Sequence, residues 1–323
     1  MLDPDARALL DLMVEKKIPP VHTVGPVEAR AAYVARRFAT QRAPADVAQV
    51  IETSCSGNAG PIALRIYRPA GAPASNAPAL VFFHGGGWVI GDLDTHDGLC
   101  RDLANQSGGV VVAVDYRLAP EAPFPAAVDD SIAAFQWTVA QSSELGLDPT
   151  RIAVGGDSAG GNLAAVVALH QRDLKAGDSH AVHGVSAAQP CFQLLIYPST
   201  DKRAQSPSHT TNGQGYLLTH DTMSYFRAHY IPDPTLYTDW RASPLLASSH
   251  ANLPPALVLT AGFDPLRDEG LQYADALSDA GSTCQYVCFE RQIHGFIPMN
   301  KAIAEANTAT SLCSLALKTA YAR

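Results

Sequence analysis

The chain has 323 residues, 47% of them hydrophobic and 17% charged, which is ample for a sizeable core and far from the profile of a disordered polypeptide. The formal net charge is −8 with no cluster of lysine and arginine on one predicted face, so nucleic acid is excluded as an expected partner. No stretch approaches the ~20 apolar residues of a membrane span, and the opening MLDPDARALLDLMVEKK carries acids early without the apolar run of a signal peptide, so no integral membrane association is expected.

Residues 1 to about 45 read as two amphipathic helices, with Leu9, Leu10, Leu12 and Met13 and then Ala31, Ala32, Val34 and Phe38 at helical spacings, broken by Pro19-Pro20. Residues 47–53 and 62–68 alternate in strand fashion, and the run from Gly71 to Ala77 reads as a turn joining antiparallel neighbours. Residues 79–83 form a short apolar strand that ends at once in His84-Gly85-Gly86-Gly87-Trp88. Consecutive glycines after a strand leave backbone N–H groups uncovered, as in an oxyanion hole. The Lys and Ser/Thr of a phosphate-binding loop are missing, and no G-x-G-x-x-G opens a helix.

Residues 110–114 give the next buried strand, followed by DYRLAPE at 115–121, a proline-rich loop and a helix over 126–140. The chain then returns through Ile152-Ala153-Val154 into Gly156-Asp157-Ser158-Ala159-Gly160, and a long alanine- and leucine-rich helix follows. Strand, sharp turn and helix around G-x-S-x-G make a nucleophile elbow, with the Ser158 hydroxyl at its tip and the helix N-terminus aimed at any oxyanion formed there. Strand and helix alternate from here, which implies parallel strands with crossovers. Strands are expected over 194–197, 256–261 and 284–289, and helices over 267–280 and 301–320. The residues between Tyr197 and Ala256 exceed an ordinary crossover and read as an insertion. Its aromatics Tyr216, Tyr225, Phe226, Tyr230, Tyr237 and Trp240 suggest a cover over something apolar, or simply packing of the insertion on the core.

A serine hydroxyl needs a base to take its proton, and the base works best when a carboxylate fixes its tautomer. In a strand–elbow–helix architecture the order along the chain is Ser, acid, His. Asp264 follows the 256–261 strand directly, whereas Asp268 and Glu269 look like first-turn acids complementing a helix dipole. His294 is the one histidine after Asp264, in Ile293-His294-Gly295-Phe296. His84 reads as a loop-ordering residue; His170, His180, His183, His209, His220, His229 and His250 show no partner pattern and are expected mostly at the surface. The six cysteines have no metal-type spacing, which fits reduced thiols in a cytoplasmic protein.

HGGGW at 84–88, DYRLAPE at 115–121, GDSAGG at 156–161, DPLRDEG at 264–270 and HGF at 294–296, in this order from about residue 45 to the C-terminus, resemble the hormone-sensitive lipase family of α/β-hydrolases, the bacterial family IV carboxylesterases. One departure is visible in Glu290-Arg291-Gln292-Ile293 before the base, where such enzymes commonly place a glycine. The resemblance implies an α/β-hydrolase fold, a mostly parallel central sheet flanked by helices with a helical cap. Residues 1–45 and 198–255 would form the cap, and 46–197 with 256–323 the core. It implies Ser158 as nucleophile, His294 as base, Asp264 as acid, an oxyanion hole from the N–H groups of Gly86, Gly87 and Ala159, and neither cofactor nor metal. Trp88, Asp157, Tyr216 and Phe226 are expected to line the substrate pocket. The activity implied is hydrolysis of short- to medium-chain carboxylic esters, small-molecule substrates, with a homodimer left open. Amide hydrolysis or true lipase action on the same triad are the alternatives. More remote is a non-catalytic ligand-binding homologue, a class that in plant hormone receptors resembling this family has lost the base, while Ser158, Asp264 and His294 are all present here.

Overall fold

The apolar runs between glycine and proline breaks assemble into a single sheet in the computed structural model, which describes residues 1–176 and 188–322. Its strands are β1 (Gln49–Gly57), β2 (Gly60–Arg68), β3 (Ala77–Phe83), β4 (Val110–Asp115), β5 (Leu147–Asp157), β6 (Gln193–Ile196), β7 (Ala256–Phe263) and β8 (Cys284–Ile293). They stand in the order β1-β2-β4-β3-β5-β6-β7-β8. The β1–β2 and β2–β4 pairs are antiparallel, and every pair from β4 to β8 is parallel. All seven residues of β3 are buried, as a strand covered on both faces requires.

The period of two along β3 divides the molecule into layers. Val81 and Phe83 pack with Phe135 of α4 (Ala126–Ala140), Leu163 of α5 (Ala159–Ala176) and Leu277 of α8 (Arg267–Asp279). Leu80 and Phe82 turn to the other face, against Leu9 of α1 (Pro4–Glu15), Leu103 of α3 (Asp97–Ser107) and Leu317 of α9 (Glu305–Tyr321). Helix α2 (Pro26–Thr40) follows a short 3-10 turn at Val21–Thr23, and α6 (Pro207–Thr211) and α7 (His220–Tyr230) lie in the long connection between β6 and β7.

Three sequence expectations change. The 71–77 turn does not join sheet neighbours, because β4 lies between β2 and β3; the tight hairpin is instead β1–β2, closed at the Gly57–Gly60 pair. A strand buried on both faces belongs in the sheet interior between parallel partners, and β3 takes that place. Helix α3 has no counterpart in the sequence reading; its buried stripe is only Leu99, Cys100, Leu103 and Ala104, and it stops at Gly108, φ 76°. The last helix starts at Glu305 rather than 301, and β8 runs on to Ile293.

The loop after β4 is fixed to α4 by one buried carboxylate. Asp130 is wholly buried and accepts from Arg117 N at 2.9 Å, Nε at 2.8 Å and Nη2 at 2.7 Å. Replacing only the cation leaves that charge without its partner. Arg117→Met should therefore cost about 3 kcal/mol, read as a lower urea midpoint at unchanged slope, and Arg117→Met/Asp130→Leu should recover most of the loss.

Candidate active site

The carboxyl ends of the parallel strands bring the chemistry-bearing residues to one edge of the sheet, the place where ligands bind in open α/β sheets. β5 ends at Asp157, α5 begins at Ala159, and Ser158 between them has φ 57°, a left-handed backbone that a β-carbon disfavours. The turn closes only because its flanks are glycine. A Cβ on Gly156 would lie 2.3 Å from the Phe83 carbonyl oxygen, and one on Gly160 1.8 Å from the same atom. Ser158 N–H donates to Ile196 O at 2.8 Å, which pins the tip to the neighbouring strand.

Asp264 and His294 follow β7 and β8. His294 Nδ1 donates to Asp264 Oδ2 at 2.7 Å, and Ser158 Oγ donates to His294 Nε2 at 2.9 Å. The tautomer follows from these partners: a carboxylate at Nδ1 keeps the proton there and leaves the Nε2 lone pair facing the hydroxyl. Asp264 is wholly buried, and its other oxygen accepts from Leu266 N at 2.8 Å. Asn212 braces this loop by donating through Nδ2 to Gly262 O at 3.1 Å and Asp264 O at 3.2 Å.

Beside the elbow, the glycine loop turns tightly on Gly86, whose carbonyl accepts from Val89 N at 3.1 Å and Ile90 N at 3.0 Å. Gly86 has φ 130° and Gly87 φ 60°. Among the described residues, the N–H groups of Gly86, Gly87 and Ala159 have no acceptor. Behind them, Asp157 Oδ1 accepts from Gly85 N at 2.8 Å and lies 3.1 Å from His96 Nε2. Burial alone would raise the Asp157 carboxyl, but His96 and the Gly85 N–H hold it below the ordinary carboxylate value. His84 stacks on Tyr116 with centroids 4.3 Å apart, Tyr116 Oη donates to His84 O at 2.7 Å, and burial with His96 nearby lowers His84 to about 4.

The residues expected to line a pocket are placed differently from one another. Asp157, only 3% exposed, tethers the glycine loop from behind. Trp88 is 5% exposed and stacked on Tyr230 at 4.4 Å, with Lys202 Nζ 3.8 Å from its ring centre. Phe226 lies on the glycine loop, where a Cβ on Gly87 would come within 2.3 Å of its ring. Tyr216 packs on Phe263 at 5.1 Å. Lys202 is itself buried and donates to Ser199 Oγ at 2.7 Å, and desolvation lowers its ammonium to about 7.

One further expectation changes where the 198–255 connection folds back onto α8. Glu269 stands in the first turn of α8 as expected, and it is also wholly buried there, accepting from Thr200 N at 2.7 Å. His209, expected at the surface, is buried with Nε2 2.7 Å from Glu269 Oε2. His250 is also buried, against Pro244 O at 3.0 Å, while His180 and His183 lie outside the described residues. His96 is the residue that sequence reasoning missed, and nothing flanking it signals Asp157. Among the described residues no group of three metal-ligating side chains occurs.

Residues 80–298 match the family described as alpha/beta hydrolase fold. The carboxylic ester hydrolase LipN of Mycobacterium tuberculosis is 48% identical over 250 residues, 77% of this chain and 64% of that protein, so the chain spans less than two thirds of this relative. The ethyl acetate hydrolase of Pseudomonas putida is 39% identical over 322 residues, 95% of each chain. Among solved structures, a metagenomic ester-hydrolase from Lake Arreo complexed with a bipyridine phosphonate derivative superposes with a TM-score of 0.93 at 42% identity, covering 100% of both chains. With the sheet order, the elbow and these relatives in agreement, the chain belongs to the α/β-hydrolase family, in its hormone-sensitive lipase-like branch.

Proposed function

We propose that this chain is a serine carboxylesterase acting on short- to medium-chain carboxylic esters through an acyl-serine intermediate. The carrying observation is the unbroken hydrogen-bond chain from Ser158 Oγ through His294 to buried Asp264. In the proposed reaction Ser158 attacks the ester carbonyl as His294 Nε2 takes its proton. The oxyanion is met by the free N–H groups of Gly86, Gly87 and Ala159 and by the positive end of α5. The imidazolium then protonates the leaving alcohol, and water repeats the sequence on the acyl-enzyme. Relatives named as carboxylic ester hydrolase and ethyl acetate hydrolase support an ester as the substrate.

The cover over this edge is assigned to residues 1–45 and 198–255, supported by Phe226 lying on Gly87 and by His22 Nδ1 3.3 Å from Thr222 Oγ1, which ties the N-terminal segment to α7. No described helix is long and apolar enough to cross a membrane. A cytoplasmic location fits six cysteines that are all unpaired.

Ser158→Ala should lower kcat by ~10⁶-fold with the fold retained, and a small phosphonate should label Ser158 stoichiometrically in the parent enzyme. A folded, active Ser158→Ala protein overturns the mechanism. Asp264→Asn should cost ~10⁴-fold, because an amide no longer holds the Nδ1–H tautomer. A protonated imidazole cannot take the serine proton, so activity should be lost in acid; activity undiminished there argues against a histidine base. The reaction proposed uses no metal, so activity should survive EDTA.

Phe226→Ala removes one apolar wall worth ~1.5–3 kcal/mol of burial. The ranking of kcat/KM from acetate to decanoate esters should shift while phosphonate labelling of Ser158 still runs to completion. An unchanged ranking places the acyl pocket elsewhere.

A further inference from the structure

Helix α2 makes contacts that covering a pocket does not require. Arg30 and Arg37 are seven positions apart, which puts them on one face of a helix with 3.6 residues per turn, and Gln41 caps its C-terminal end. All three donate to main-chain carbonyls just past the glycine loop: Arg30 Nε to Val89 O at 2.8 Å, Arg37 Nη1 to Asp94 O at 2.8 Å, and Gln41 Nε2 to Thr95 O at 2.9 Å. Arg30 Nη2 also donates to Ala119 O at 2.8 Å, and the Ala119 N–H in turn donates to Trp88 O at 2.8 Å. The 89–95 segment is the backing of the loop. Ile90 O lies 2.0 Å from where a Gly86 Cβ would be, and a Gly91 Cβ would come within 2.4 Å of Gly85 O.

The other end of α2 holds the loop that carries the base. Lys301 N and Ala302 N donate to Thr40 O at 3.0 and 3.2 Å, and Arg42 N donates to Asn300 Oδ1 at 2.9 Å. That loop is stiff between His294 and these contacts, with Phe296, Ile297 and Met299 buried and Met299 N donating to Phe296 O at 2.9 Å. The two anchored loops leave strands separated in the sheet by β5, β6 and β7. Consecutive glycines cannot fix their own N–H directions, since their backbone is the most permissive available.

We infer that α2 is a positioning element for the reaction: it fixes the 85–95 loop against the His294 loop, so that loosening it lowers kcat and leaves substrate binding and chain-length preference in place. This rests on the reading of Gly86 and Gly87 as oxyanion donors. It goes beyond a covering role, because a wall acts on the substrate whereas this helix acts on the catalytic backbone. Donors placed for the oxyanion lose effect steeply with displacement, and a shift of about 1 Å can cost 10²-fold in rate.

The test uses the full-length enzyme with Arg30→Met, Arg30→Lys and Glu121→Gln, assayed well below each variant's melting temperature on esters from acetate to decanoate. Arg30→Met should lower kcat about 10- to 100-fold for every ester, with KM and the ranking unchanged and phosphonate labelling of Ser158 slowed by a similar factor. Arg30→Lys, which keeps a donor, should recover part of the loss. Glu121→Gln removes only the exposed partner of Arg30, bonded at 2.9 and 2.6 Å, and should leave kcat unchanged. A raised KM or an altered ranking makes α2 a pocket wall and overturns the inference, as does full kcat in folded Arg30→Met. Should Arg30→Met not fold, Gln41→Met, which removes only the Thr95 contact, decides: a lower kcat at constant KM supports the helix's role and unchanged kcat overturns it. The triad reading fails separately, through an active Ser158→Ala protein.

Discussion

The approach of the elbow to the end of β3 is the constraint on which the rest depends. Phe83 O fills the space that side chains at positions 156 and 160 would occupy, so strand β5, helix α5 and the glycine loop meet without any spacer between them. This contact places Ser158 beside the N–H groups after β3, and only glycine permits it. It also directs the left-handed serine outward, since the chain must reverse within one residue to start α5. The strain of that conformation is held by bonds on both sides: Ser158 N–H to Ile196 O at 2.8 Å, and Ser199 N–H to Ser158 O at 3.3 Å.

Around this junction the polar groups form two separate supports. Asp264 is buried and receives His294 Nδ1–H and Leu266 N–H, an arrangement that stabilises an imidazolium as it forms. Asp157 is equally buried but faces the glycine loop through Gly85 N–H, with His96 beside it. Two carboxylates of one site therefore have different work, decided by which backbone each one holds. A third buried carboxylate, Glu269, secures the start of the 198–255 connection through Thr200 and His209.

What was legible in the sequence is what local sterics dictate. Glycines at 156 and 160, glycines at 85–87 and the strand-end positions of Asp264 and His294 are demands of the backbone itself, and such demands appear as short motifs. Helix 126–140 was readable for the same reason, its apolar spacing being continuous. Contacts between distant segments leave no local trace. His96 sits between a threonine and an aspartate with nothing to announce Asp157, and it heads α3, whose apolar stripe is too short for periodicity to reveal. The place of β4 between β2 and β3 was hidden because strand order is a property of the whole sheet. The contacts of Trp88 and Asp157 were likewise hidden, since proximity in sequence to Gly87 and Ser158 says nothing about which side of the loop a side chain takes.

The linear order of these parts has a consequence for the birth of the protein. The glycine loop and the elbow precede His294, which follows β8, the last of the described strands. Helix α2 is made long before Asn300, Lys301 and Ala302, the residues that its far end grips. A nascent chain not yet past β8 thus holds Ser158 without His294, and α2 without its far anchor. On the serine mechanism proposed above, such a chain has a nucleophile with no base, so that chemistry waits until the segment after β8 has docked.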